Sequence, residues 1–287
     1  QKYGEKGEVL FGLMSGSYKR NKSGGTLRSN IGSVGEEINI ATDGSFKDQS
    51  GLIRAIDSFR IANWTYSFSA DANTEQTGTY FADNCMWGLT GFNDGECTNW
   101  GNPFAEILLE SYRYLGGHKA TNSYVADDSF VSPNLGVVPW QSPIDDANAC
   151  TNLNVLAFNS STISYDGDGL DPSDIGVDFT GLNRLTSELG RLEGVAGGYY
   201  FVGKSYGADN DELCTAKKVN ALASVRGTCP DAARLKGSYY SSSLAFYAKN
   251  NDINPAVAGK QTVNTFGFTL APSIPKMEIP VPGKEKT

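Results

Sequence analysis

The chain has 287 residues, 39% apolar and 20% charged, a balance that supports a packed core and excludes a disordered chain. Its formal net charge is -8, with no cluster of Lys and Arg, which argues against a nucleic-acid partner because neutralising phosphates takes a basic patch. No apolar run approaches the ~20 residues of a helical membrane span, so none is expected.

Glu8 to Met14 reads as a buried strand, since Val, Leu and Phe follow one another without helical period. From Ser15 to Phe46 the chain is rich in Gly, Ser and Asn, and Gly24-Gly25 and Asp43-Gly44 signal turns. This predicts a hairpin-like arm projecting from the core. Leu52, Ile53, Ile56 and Phe59 have the spacing of a short helix. Between residues 62 and 84, Trp64, Tyr66, Phe68, Tyr80 and Phe81 lie scattered among polar residues, as in an irregular or β insertion. Trp64, Tyr66, Phe68 and Tyr80 either form a binding surface, because Tyr and Trp supply rigid amphipathic contact area, or cover a local mini-core.

Asn102-Pro103 opens the clearest helix, with Asn102 as cap, Pro103 in the first turn, and Phe104, Ile107, Leu108, Tyr112 and Leu115 as its apolar stripe. Gly116-Gly117 ends it. After a Pro-containing loop over 121–149, Leu153 to Phe158 reads as a strand, Leu182, Leu185, Leu189 and Leu192 as a helix, and Tyr199 to Val202 as a strand. Tyr240, Leu244 and Tyr247 share one face of a helix that stops at an Asn-rich segment before Pro255. Val263 to Leu270 is the last strand, and the prolines at 272, 275, 280 and 282 keep the sheet from continuing. Strands separated by helices imply an α/β sandwich around a mostly parallel sheet.

Five cysteines without a Cys-x-x-Cys motif point to an oxidising, extracellular setting. Cys85 with Cys97 and Cys214 with Cys229 are the natural local pairs. Cys150 is left over, either bonded to a residue outside the chain or a buried thiol.

Two segments raise chemical possibilities. Asp166, Asp168, Asp171 and Asp174 alternate with glycines. Such a loop can converge oxygens on Ca²⁺ at ~2.4 Å, or it can be a solvated acidic loop held by Asx-turns. The spacing is not that of an EF-hand. Gly203-Lys-Ser205-Tyr-Gly207 matches Gly-x-Ser-x-Gly after a predicted strand, but the single histidine, His118, precedes the serine, where a hydrolase of that kind needs its base to follow. Ser205 therefore reads as a turn residue, and no enzyme chemistry is expected.

Three segments near the end of the chain carry a resemblance. They are Lys236-Gly-Ser-Tyr-Tyr through Asn254-Pro255, Val263-Asn-Thr-Phe-Gly-Phe-Thr-Leu-Ala, and Ile274-Pro-Lys-Met-Glu-Ile-Pro-Val. With Met14-Ser-Gly-Ser-Tyr and Asn21-Lys-Ser-Gly-Gly-Thr-Leu-Arg, they resemble the N-terminal region of type IV pilus tip proteins of the PilY/PilC family. The resemblance implies a von Willebrand factor A-like, Rossmann-like three-layer sandwich over residues 1–282, with 15–50 and 62–100 as β-rich or irregular insertions and 283–287 as an exit linker. That family's first sheet strand, which carries an Asp-x-Ser-x-Ser metal motif, has no counterpart here. An upstream segment or another chain would have to supply it, because a missing central strand leaves buried backbone groups unpaired. Asn102 and Ser160 stand where the family places further metal ligands, and neither brings the charge a hard cation prefers. The family also has a cysteine just upstream of the residues matching Gln1-Lys-Tyr-Gly, which could pair with Cys150.

The implied role is that of an extracellular tip adhesin and pilus-assembly factor, with minor pilins and host or abiotic surfaces as partners. The competing readings are a structural subunit of another extracellular filament and a secreted serine hydrolase using Ser205.

Overall fold

A computed structural model describes residues 8–47, 51–61, 64–67, 79–82, 91–98, 100–159, 162–205, 211–230 and 232–269. In chain order the elements are β1 (Phe11–Ser15), β2 (Thr26–Gly32), α1 (Leu52–Ser58), β3 (Trp64–Ser67), β4 (Thr79–Ala82), α2 (Phe104–Leu115), β5 (Leu153–Asn159), α3 (Phe179–Leu192), β6 (Tyr199–Val202), β7 (Thr215–Lys218), α4 (Tyr240–Asn250) and β8 (Val263–Thr269). The class is mixed α/β, as the sequence predicts.

The core forms where α2 and α4 meet. Ala105, Leu108, Leu109 and Tyr112 of α2 pack with Tyr240, Leu244 and Ala248 of α4, and Leu182, Leu153 and Val263 bring in α3, β5 and β8. Polar bonds fix the register of these layers. The hydroxyls of Tyr112 and Thr265 are 2.6 Å apart, tying α2 to β8, and Thr186 and Ser243 share a buried hydroxyl contact between α3 and α4. Of the stripe predicted for α2, Leu108, Tyr112 and Leu115 are buried, whereas Phe104 and Ile107 are half-buried and Ala105, Leu109 and Tyr114 join the buried face; the stop is the one predicted, since the Gly116 N–H donates to the Tyr112 carbonyl at 2.7 Å and Gly117 sits at φ +73°.

The start of α2 differs from expectation. Pro103 holds the cap position, and the Asn102 side chain does not cap the helix. Its amide instead donates to Asn159 Oδ1 at 2.8 Å, so it links the head of α2 to the end of β5.

The described strands form four two-stranded sheets instead of one wide, mostly parallel sheet. Only β5 and β8 are parallel, in unbroken register from Leu153 opposite Val263 to Asn159 opposite Thr269. β6 and β7 are antiparallel, paired from Tyr199 opposite Lys218 to Val202 opposite Thr215, a connection short for the usual parallel crossover through a helix. β7 escapes the sequence reading because Thr-Ala-Lys-Lys has a surface composition. Lys217 is nevertheless 1% exposed, its ammonium donating to the carbonyls of Val202 and Leu213 and to the Thr215 hydroxyl, and pairing with Asp211 at 2.6 Å. Behind this ribbon, Cys214 and Cys229 form the predicted disulfide. Cys97 is also disulfide-bonded, its predicted partner Cys85 lying outside the described residues. Cys150 is an exposed thiol, not a buried one.

The strand predicted as buried, Glu8 to Met14, is observed as β1 and is not buried, with Val9, Leu10 and Phe11 all exposed; it pairs antiparallel with β2, and the arm predicted over Ser15 to Phe46 does not project along its whole length. Thr26, Leu27 and Arg28 are buried. The cause is a charge pair with both side chains fully buried. Arg28 pairs with Asp128 and also donates to the carbonyls of Leu135 and Gly16 and to the Ser15 hydroxyl. Asp128 accepts from the Ser17 hydroxyl and the backbone N–H groups of Tyr18 and Lys19. Every polar atom of the pair that burial strips of water thus finds a protein partner. Asp128→Ala leaves Arg28 buried and uncompensated, and urea unfolding should show a loss of about 3–5 kcal/mol. The double substitution Arg28→Met with Asp128→Leu should recover much of it, since an apolar pair carries no desolvation penalty.

Candidate functional site

The outward face of the β5–β8 pair is the most distinctive surface. Strand alternation points Leu153, Val155, Val263 and Thr265 toward the helices and Leu156, Phe158, Phe266 and Phe268 away from them. Parallel register puts Leu156 beside Phe266 and Phe158 beside Phe268, whose rings stack at 5.5 Å. All four are more than half exposed, Leu156 at 72%. A parallel sheet ordinarily has both faces covered, and this one is apolar on both while covered on one. Next to it runs a groove of about 750 Å³ lined by β1, α2 and β5, with Ile107 and Leu108 from α2 and Val155 to Phe158 from β5. Arg60 is the single charged residue among its described lining residues.

Near the inner end of α2 the loops meet on a buried carboxylate. Glu106 is 1% exposed and accepts from the N–H of Gly24 on the arm and of Gly169 on the acidic loop. Both glycines are required by space. A Cβ at Gly24 would lie 2.0 Å from the Tyr124 ring, and one at Gly169 2.5 Å from the Tyr124 hydroxyl. Burial, reinforced by the charges of Asp168 and Asp166, pushes the Glu106 carboxyl up to about 8. Burial also raises Asp166 to about 7, against the Ser238 N–H that its Oδ1 accepts at 2.6 Å. The sequence gives no sign of this arrangement, because a glutamate in the first turn of a helix is ordinarily a solvated partner of the helix dipole.

The residues singled out as a cation loop do not converge. Asp166 is buried on Ser238, Asp168 is half-buried, Asp171 makes an Asx-turn bond to the Ser173 N–H at 3.2 Å, and Asp174 pairs with Arg113. Among the described residues no group of three or more His, Cys, Asp or Glu is placed to hold a metal ion. Of the family-type ligand positions, Asn102 is joined to Asn159, a neutral amide pair that does not suit a hard divalent cation, and Ser160 lies outside the described residues. Ser205 is 2% exposed and its hydroxyl donates to the Lys218 carbonyl at 2.9 Å, while His118 Nε2 lies 3.4 Å from the Ile253 carbonyl. In the β3–β4 hairpin Tyr66 is opposite Tyr80 and Trp64 opposite Ala82, and Phe68 lies outside the described residues. No described helix is long and apolar enough to cross a membrane.

The chain is thus an α/β domain whose helices cover one face of a small parallel sheet and whose other face is apolar and open. Residues 11–248 match a family model described as "PilY1 homolog, second domain", and the chain belongs to this PilY1-related family. It is 31% identical over 310 aligned positions to the "Type IV pilus biogenesis factor PilY1 homolog" of Xylella fastidiosa (strain Temecula1 / ATCC 700964). That alignment takes in 97% of this chain and 20% of the relative, so the chain spans about a fifth of the relative's length. No solved structure matches it.

The raised carboxyls give stability a defined pH dependence. Glu106 and Asp166 keep their protons in the fold at pH values where the unfolded chain has lost them, so their contribution is complete below about pH 4 and is lost as pH rises to about 8. Thermal unfolding should show the melting temperature falling across that interval. Glu106→Gln should flatten the fall, because an amide does not titrate, and lower stability at acidic pH, where its NH₂ meets one of the two glycine N–H groups that the carboxyl oxygens accept.

Proposed function

We propose that this chain is a protein-binding domain of a type IV pilus assembly factor and tip adhesin, acting outside the cell by gripping other proteins and surfaces, without turnover of a substrate. Membership of the PilY1-related family supports the pilus setting. The observation that carries the binding role is the apolar face of Leu156, Phe158, Phe266 and Phe268, since a contiguous exposed apolar patch marks an interaction site. The disulfide of Cys214 and Cys229 fits an oxidising compartment. We further read the α/β frame as part of a von Willebrand factor A-like sandwich whose sheet extends beyond β5. The partners this reading names are the minor pilins and a host or abiotic surface.

Leu156→Asp combined with Phe268→Asp places two charges on the open face without entering the core. In cells carrying the variant, surface pili counted by electron microscopy or attachment to a surface should fall several-fold while the purified chain keeps its circular dichroism spectrum. Wild-type values for both counts would overturn the proposal. A fluorophosphonate probe should leave Ser205 unlabelled, since its hydroxyl is buried and committed to the Lys218 carbonyl; stoichiometric labelling would restore the hydrolase reading.

A further inference from the structure

We infer that the cavity at the C-terminal end of α2 binds a short saccharide bearing a carboxylate. The inference goes beyond the protein-binding reading, and the cavity shares no described lining residue with the groove beside β5. It holds about 380 Å³, the small end of the range for ligand pockets. Tyr114, Val138 and Trp140 give it an aromatic and aliphatic part, and Lys119, Asn122 and Gln141 bring polar side chains to the same space.

Trp140 is held as a fixed platform by Asn30 of β2. The Asn30 amide donates to the Pro139 carbonyl at 2.9 Å and its Oδ1 accepts the Gln141 N–H at 2.9 Å, so the backbone is fastened on both sides of the indole. The same oxygen accepts the Tyr114 hydroxyl at 3.1 Å, and the Tyr114 and Trp140 rings meet edge to face, with centroids 5.4 Å apart and planes at 83°. That contact can cover at most one face of the indole. Trp140 stays only half-buried, so the fastening orders a ring that remains partly open to solvent. An aromatic surface ordered before binding loses little freedom when a ligand lies on it.

The lining selects the ligand. A sugar ring has a C–H face and a rim of hydroxyls, each able to donate and to accept. The indole matches the face, and the amides of Asn122 and Gln141, each donor and acceptor, match the rim. Both amides are on exposed residues and make no intramolecular bond among the described residues. The carboxylate follows from charge. Lys119 is exposed, no carboxylate stands among the described lining residues, and the nearby Glu110 and Asp174 are both paired with Arg113. The Arg113 guanidinium also donates to the Lys119 carbonyl at 3.0 Å, which fixes the base of that side chain. In a chain of net charge -8 this cavity therefore offers a cation to an anion, and an ammonium–carboxylate bond is stronger than a neutral one.

Saturation-transfer difference NMR on the intact protein tests this with two sugars that differ in one group, methyl glucuronide and methyl glucoside. Methyl glucuronide should bind with a roughly millimolar Kd, ordinary for one ring, and methyl glucoside about fivefold more weakly. Trp140→Ala should abolish the glucuronide signal. Lys119→Gln, a change at an exposed side chain that leaves the fold intact, should bring the two sugars to equal Kd by weakening the glucuronide alone. No signal from methyl glucuronide, equal binding of the two sugars by the unaltered protein, or glucuronide binding that survives Trp140→Ala each overturns the inference. So does a preference for glucuronide that persists in Lys119→Gln, or binding of a polyproline peptide in place of both sugars, which would make the cavity a peptide groove. Leu156→Asp with Phe268→Asp should leave the sugar Kd unchanged, so failure here and failure of the protein-binding reading are told apart.

Discussion

Arg28 and Asp128 sit without solvent exposure between the β1–β2 arm and the loop that follows α2, and the rest of the molecule is arranged around the need to satisfy them. A buried ion pair is tolerable only if the lone pairs and protons beyond the pair itself are also taken up. Here the backbone of residues 16–19 and 135 and the hydroxyls of Ser15 and Ser17 do so. The arm therefore has one permitted seat. β1 is half of that arm and also lines the groove beside β5, so the seat of one buried ion pair also places one wall of an apolar slot in which neither residue takes part.

Glu106 performs a related task on the other side of the loop that joins β1 to β2. It gathers Gly24 and Gly169 onto α2, using a carboxyl that burial holds in its protonated form near neutrality. Acidic residues that look in sequence like a ligand set for a cation are in this way spent on architecture: one on a loop amide, one on an Asx-turn, one on Arg113. What the β5–β8 face shows to the outside instead is hydrocarbon, and that contiguous apolar patch is the strongest physical argument for a partner.

The elements readable from sequence were those with strong local periodicity. The stripe of α2, the leucines of α3, and the apolar runs of β5 and β8 all lie where their patterns place them, because side-chain spacing alone decides them. The features that escaped depend on neighbours distant in the chain. Lys217 reads as a surface lysine until Val202 and Leu213 are brought to it, and Asn102 reads as a helix cap until β5 presents Asn159. The Phe158–Phe268 face was visible as two apolar strands, but its exposure was not, since a continuous apolar run says a strand is fit to be covered on both sides and nothing about whether it is. Cys150 shows the same limit in reverse, being a residue type usually buried that this fold leaves at the surface.

The parallel ladder joins residues 110 positions apart, Leu153 with Val263 and Asn154 with Asn264. During synthesis β5 emerges well before β8, and no ladder can form until the helices, the ribbon and the disulfide loop between them have followed. For that interval a seven-residue apolar strand waits with both edges open. The parallel ladder is thus among the last contacts the domain can complete, although it supplies one wall of the core.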